Sequence, residues 1–223
     1  MLHKSIGIVL HHINYGETSI IAYIYTELFG RQAFIVNGVR SNKSKIKLNL
    51  FQPLSIVELS VYFKENREIQ RIKEIRFHIP QYEIPFYIIK STIALFIAEI
   101  LYKTLREEES NKPLFDFLLH AIQLLDKTQE GINNFHLIFL IQLSKFLGIF
   151  PDNTFIYNYS SSESERIVLQ ELISSSLPTL TKFKINNMIR NNLLLKILDH
   201  YQLNMEGMGQ INSFVVLKDL FNN

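Results

Sequence analysis

From residue 1 to residue 78, apolar and polar positions alternate with a period of two, and each run is cut short by turn residues. Ile6, Ile8, Leu10 and Ile13 open a first strand that stops at Asn14-Tyr15-Gly16-Glu17. The run Thr18 to Thr26 is dense in β-branched and aromatic residues and predicts a second. Glu27-Leu28-Phe29-Gly30 then turns into a third, Arg31 to Val39, with Ala33, Ile35 and Asn37 on one face and Gln32, Phe34 and Val36 on the other. Pro53 to Phe63 and Arg67 to Phe77 read as the fourth and fifth. Five short strands with one longer connection suit a small closed barrel, and the count alone leaves an OB-fold and an SH3-like barrel both open.

From Gln81 onward the period changes to 3.6 residues and turn residues thin out. Helices are predicted over Pro85 to Arg106, Pro113 to Lys127, Asn133 to Leu147, Glu163 to Ser176, Lys182 to Gln202 and Ser213 to Phe221. Gly148 and Pro151 stop the third of these. The polar interval Asn158 to Ser164 is the best linker in the chain. The fold class is therefore α+β with two domains: a five-stranded β-barrel over residues 1–80, then an all-α domain over residues 81–223, in which 153–180 is the least determined part.

Composition narrows the chemistry. The chain has 223 residues, 47% hydrophobic and 20% charged, with neither cysteine nor tryptophan. Without sulfur there is no disulfide scaffold, thiolate zinc ribbon, iron–sulfur cluster or cysteine nucleophile. The N-terminus lacks the apolar run and small-residue cleavage site of an export signal. The apolar stretches 84–101 and 135–150 are broken by Lys90 and Glu99 and by Gln142 and Lys145, so neither reads as a membrane span. The expectation is a cytoplasmic protein with no membrane partner.

The formal net charge of +2 conceals an imbalance. Residues 1–80 hold 11 Lys+Arg against 6 Asp+Glu, a net of +5, and residues 81–223 hold 12 against 15, a net of −3. Between Gln32 and Glu58 lie Arg40, Lys43, Lys45 and Lys47 with no acid among them. Four cations in a loop also suit an ordinary solvated surface. Together they set up a local positive field able to attract a polyanion.

No reaction centre is legible. Neither Gly-rich phosphate loop occurs, and H-E-x-x-H and G-x-S-x-G are missing as well. The seven histidines include no pair at helix-ligand spacing, and His11 and His12, adjacent on a strand, point to opposite faces. Glu107-Glu108-Glu109, as consecutive helical residues, would spread around the helix rather than converge. No catalytic residue, metal or cofactor is assigned. Of the barrel aromatics Tyr23, Tyr25, Phe29 and Phe34, half would fill the interior, leaving one or two rings to stack on bases.

In order and spacing, these residues resemble the RecO family of bacterial DNA repair and recombination mediators. The matching segments are Tyr15-Gly16-Glu17-Thr18-Ser19, Thr26-Glu27-Leu28-Phe29-Gly30-Arg31, Gly38-Val39-Arg40-Ser41-Asn42-Lys43-Ser44-Lys45 and Phe51-Gln52-Pro53-Leu54. In the helical part they are Leu147-Gly148-Ile149-Phe150-Pro151-Asp152, Ile197-Leu198-Asp199-His200-Tyr201 and Ser213-Phe214-Val215-Val216-Leu217. The resemblance implies an N-terminal OB-fold that binds single- and double-stranded DNA, and a non-enzymatic mediator close to the nucleoid. Such a mediator anneals complementary strands and, with RecR, helps load RecA onto DNA coated by single-stranded DNA-binding protein, whose acidic C-terminal tail it recognises. The family's turn and basic loop fall on Gly30, Arg31, Arg40, Lys43 and Lys45, with Lys47 beside them, and these cations are the phosphate-contact candidates. Lys182, Lys184, Arg190 and Lys196 are the candidates for the acidic tail. A protein-interaction adaptor in which tail recognition dominates and DNA binding is secondary is the alternative. Many family members carry a four-cysteine zinc motif after the segment matching Phe150-Pro151-Asp152. A Ser-rich stretch stands there instead, so zinc is not carried over.

Overall fold

A computed structural model describes residues 2–41, 44, 46–151, 155–156, 162–182 and 184–222. Contacts group the chain into two compact units, Met1–Tyr82 with Ala94–Ile122 and Glu83–Ile93 with Gln123–Asn223.

The first unit is built on a closed barrel of β1 (Leu2–Tyr15), β2 (Ser19–Thr26), β3 (Gly30–Val36), β4 (Ile56–Tyr62) and β5 (Ile69–Ile79). The strand order β1-β2-β3-β5-β4, with β3 and β5 parallel and every other pair antiparallel, makes it OB-like. The long β1 pairs first with β4 and then with β2, and its register shifts between Val9 and His11. Gly7 lies where both partners crowd in: a Cβ there would stand 2.6 Å from Ile24 and 2.9 Å from Leu59, so a larger residue would prise the barrel open. Alternation sends Ile20, Ala22, Ile24, Phe34, Val36, Val57, Leu59 and Val61 inward to one core with Val9 and Phe51.

β3 ends at Val36, three residues short of the predicted Val39, and Asn37 to Arg40 form a turn. The turn starts there because the root of the next loop is tied to the β1–β2 turn and the first residue of β2: Arg40 N–H donates to Thr18 O at 2.9 Å, and Gly38 N–H to Ser19 Oγ at 3.4 Å. β1 in turn begins at Leu2, earlier than the periodicity at Ile6 suggests, since Leu2 to Ile8 pair with Tyr62 to Ile56.

Helices α1 (Ile88–Thr104) and α2 (Lys112–Lys127) follow the barrel in sequence. Residues of both belong to the barrel's unit and pack on its wall. Tyr25 stacks on Phe115 at 6.3 Å, Ser110 Oγ donates to Glu27 O at 2.7 Å, and Arg31 N–H donates to Glu107 O at 2.9 Å. Gly30 permits this approach: its φ is +59°, and a Cβ would lie 2.5 Å from the carbonyl oxygens of Glu107 and Glu109.

In the second unit, α3 (Phe135–Phe146) is buried on nearly every side, as its continuous apolar run requires. It packs with α4 (Glu163–Ser174) and α5 (Asn187–Asn204), and α6 (Ser213–Asn222) packs on α5. Ser162 caps α4 by accepting from Glu165 N–H at 3.2 Å, and Asn186 caps α5 by accepting from Ile189 N–H at 2.8 Å. That second cap explains why α5 starts at Asn187 rather than Lys182; a short 3-10 helix over Leu177–Lys182 precedes it. Most of the Ser-rich stretch, residues 157–161, lies outside the described residues. Among the described residues, no helix is long and apolar enough to cross a membrane.

Candidate nucleic-acid interface

The basic loop joins β3 to β4, and the described part of it is clamped at both ends. At its start Arg40 reaches back across the β1–β2 turn, where its Nη2 donates to Gly16 O at 2.9 Å and also to Glu17 O. At its end Leu50 and Phe51, on the 3-10 turn Leu48–Phe51, are buried in the barrel. There Phe51 O lies 3.1 Å from His12 Nδ1, and Leu54 N–H donates to Val9 O at 2.8 Å. Ser44 lies between the clamps, its Oγ donating to Ile46 O at 2.7 Å. The first clamp is held by the β1–β2 turn and the start of β2, the second by Val9 and His12 of β1.

The five candidate cations are placed very differently. Lys47 is exposed on the approach to the Leu48–Phe51 turn. Lys43 and Lys45 lie outside the described residues. Arg40, half-buried, is committed to the carbonyls of the β1–β2 turn. Arg31 is committed to the barrel wall: its Nη1 donates to Tyr102 O at 3.0 Å, and its guanidinium lies 5.6 Å from the Tyr102 ring and 6.0 Å from the Tyr23 ring. Sequence spacing treats these five as one set, whereas the structure makes two of them internal braces.

The same wall absorbs the aromatic candidates. Tyr23 meets Tyr102 at 5.0 Å and His11 at 6.3 Å. Burial raises the pKa of Tyr102, helped by the Tyr23 hydroxyl bonded to it. The Tyr25 hydroxyl is pushed up to about 12, by burial first and by Glu107 second. Phe34 is wholly buried, and Phe29 is stacked on Phe63. None of the four rings proposed for stacking therefore stands open on the outer face of β2 and β3. His11 is held below the usual imidazole range, by burial first and by His12 second.

In the helical unit Arg190 is 4% exposed, and its guanidinium satisfies three acceptors: Asn134 Oδ1 at 3.0 Å, Asn187 Oδ1 at 2.6 Å and Ile185 O at 2.8 Å. Lys196 Nζ lies 2.5 Å from Glu165 Oε2, and that carboxylate also accepts from Asn192 Nδ2 at 3.1 Å. Both cations hold helices together. Lys184 is exposed, and the side chain of Lys182 lies outside what is described. Among the described residues no three metal-capable side chains converge.

Residues 1–79 match the family described as recombination protein O N terminal, and residues 86–168 match recombination protein O C terminal. The chain is 38% identical to a DNA repair protein RecO of Phocaeicola vulgatus over 99% of this chain and 100% of that one. It is likewise 38% identical to a DNA repair protein RecO of Bacteroides fragilis, again over 99% of this chain and 100% of the other. A third relative, the DNA repair protein RecO of Azobacteroides pseudotrichonymphae, is 32% identical at the same coverage.

Proposed function

The chain belongs to the RecO family of DNA repair proteins, and on that premise we propose that it is a non-enzymatic mediator binding single- and double-stranded DNA through the basic loop of its barrel. In this reading it anneals complementary strands and, with RecR, promotes RecA loading, while its helical unit receives the acidic tail of single-stranded DNA-binding protein.

The observation that carries the reading is the loop itself: an acid-free run with Lys43, Lys45 and Lys47 that leaves the barrel at Arg40 and rejoins it at Phe51. Lysines neutralise phosphates without reading bases, which suits a protein acting at any gap or break. Two strands screened by one positive surface repel each other less, and annealing follows. For the acidic tail, the exposed Lys184 is the candidate, with Lys182 beside it. Arg190 and Lys196 are withdrawn from that role: Arg190 is buried with its donors taken by Asn134, Asn187 and Ile185, and Lys196 is paired with Glu165.

The test replaces Lys43, Lys45 and Lys47 together with Ala and leaves Arg40 in place. By fluorescence anisotropy across a salt series, the slope of log affinity against log salt falls by up to about 2.7 on duplexes and about 2.1 on single strands, or about 0.9 and about 0.7 for each phosphate no longer neutralised. Thermal unfolding stays as in the parent. Affinity and slope unchanged in the triple variant would refute the assigned surface.

A further inference from the structure

Asn37-Gly38 is the chain's single Asn-Gly pair, and it opens the turn that carries β3 into the basic loop. The pair also lies inside the acid-free run between Gln32 and Glu58, so a carboxylate formed there is the first in it. Asn followed by Gly is chemically labile for a steric reason. Attack of the following backbone nitrogen on the side-chain amide carbon is intramolecular, and a glycine brings no Cβ to obstruct it.

Three features of the structure favour that attack at residue 37. Asn37 is exposed, so water reaches its amide. A Cβ built on Gly38 would meet nothing within 4 Å, which leaves the space beside the reacting nitrogen open. The third feature is Ser19, the first residue of β2: its Oγ accepts from Gly38 N–H at 3.4 Å and donates to Asn37 Oδ1 at 3.4 Å. A single hydroxyl thus meets both reacting partners, the nitrogen that must lose a proton and the oxygen on which negative charge develops. The bond from Arg40 N–H to Thr18 O, at 2.9 Å, keeps the turn beside Ser19. Elsewhere the exposed Asn14 is followed by Tyr15 and the exposed Asn66 by Arg67, where a following side chain hinders the nitrogen.

We propose that Asn37 is a self-modification site, at which the chain deamidates without an enzyme and writes an acid into the root of its basic loop. Gly38 N bonds to Asn37 Cγ while its proton passes through the Ser19 hydroxyl to Oδ1. As the carbonyl re-forms, that proton leaves with the side-chain nitrogen as ammonia, and a succinimide remains. Water then opens the ring at either carbonyl, giving aspartate, or isoaspartate with the main chain routed through the side-chain carbon. One water is consumed for each ammonia released, and nothing is oxidised or reduced. Either product lowers the net charge of residues 1–80 from +5 to +4. The effect on DNA rests on the DNA-binding reading above; the modification itself does not.

The test ages the full chain in warm, mildly alkaline buffer and follows the tryptic peptide Gln32 to Arg40 by mass spectrometry, beside the peptides carrying Asn14 and Asn66. Conversion of amide to acid appears first at Asn37. Ser19→Ala slows it about threefold to tenfold, the worth of one hydrogen bond, and Ser19→Thr, which keeps the hydroxyl, restores it. The site is overturned by no conversion at Asn37, by conversion no faster than at Asn14 and Asn66, by a rate in Ser19→Ala equal to or above the parent's, or by Ser19→Thr as slow as Ser19→Ala. At low salt, the aged parent and fresh Asn37→Asp bind single strands and duplexes about twofold more weakly than the fresh parent. Aged Asn37→Gln, whose longer side chain closes a larger ring more slowly, keeps its affinity. Equal losses in the aged parent and aged Asn37→Gln overturn the link to the loop's charge. A fresh parent that binds no DNA overturns the DNA-binding reading and leaves the modification site standing on its mass change.

Discussion

In the barrel unit Lys47, Lys64 and Arg67 hold their charges in solvent, whereas in the helical unit Arg190 is buried under Asn134, Asn187 and Ile185, and Lys196 is locked to a buried Glu165. The first group stands on turns whose backbones are fixed by other residues, Phe51 in one case and Gln70 in the other. Their side chains carry no structural duty and are available to a ligand. The second group does the fixing. A cation that satisfies several buried acceptors is not available to an acidic peptide, because leaving them exposes each to the full cost of an unmatched polar group. Arg31 and Arg40 show that the division does not follow the unit boundary, since both are braces within the barrel unit.

The comparison breaks most visibly at Arg190. Arg190→Leu removes the donors that Asn134 Oδ1 and the Ile185 carbonyl accept from in the core, and chemical denaturation should register a loss of about 3 kcal/mol or more, with DNA affinity of the folded protein unchanged. Parent-like stability together with weakened binding of an acidic tail peptide would move Arg190 into the group of available cations.

A smaller effect sharpens the same region. His136 is wholly buried beside Arg190 and stacked on Phe221 at 5.4 Å. Burial, then Arg190, pushes its pKa down to about 3 from an ordinary 6.5. Between those values the unfolded chain binds a proton that the folded one refuses. The stabilisation is therefore complete above pH 6.5 and is lost as pH falls towards 3, amounting to about 2 kcal/mol by pH 5. Denaturation curves at pH 7 and pH 5 should lose that increment in His136→Leu, and equal pH dependence in parent and variant contradicts it.

The smallest effect concerns Arg40. Because its guanidinium is turned onto Gly16 and Glu17, Arg40→Ala costs about 1 kcal/mol of stability and leaves the salt slope of DNA binding within about 0.3 of the parent. A drop near about 0.9 would return Arg40 to the phosphate contacts.

Most of the fold could be read from local pattern. Among the described residues, the five strands and six helices that the period-two and 3.6-residue patterns predict are found, with ends displaced where a distant bond intervenes, as at Val36, where the loop root is tied to Thr18 and Ser19. The basic loop was visible as an acid-free run. The bridge from Ser19 to Asn37 and Gly38 was not, since Ser19 and Asn37 read as residues of two separate strands.

What the sequence determined alone was thus a five-stranded barrel followed by helices, the net positive barrel and the family, because periodicity, charge counts and motif order are properties of neighbours along the chain; that residues 94–122 group with the barrel was not among them. The tertiary structure decided which charges and rings remain available. Arg40 meets its acceptor 24 residues away, Arg190 meets Asn134 at a separation of 56 and Arg31 meets Tyr102 at 71. A guanidinium's partner at such a distance is fixed by how the strands and helices pack, and no local pattern carries that information.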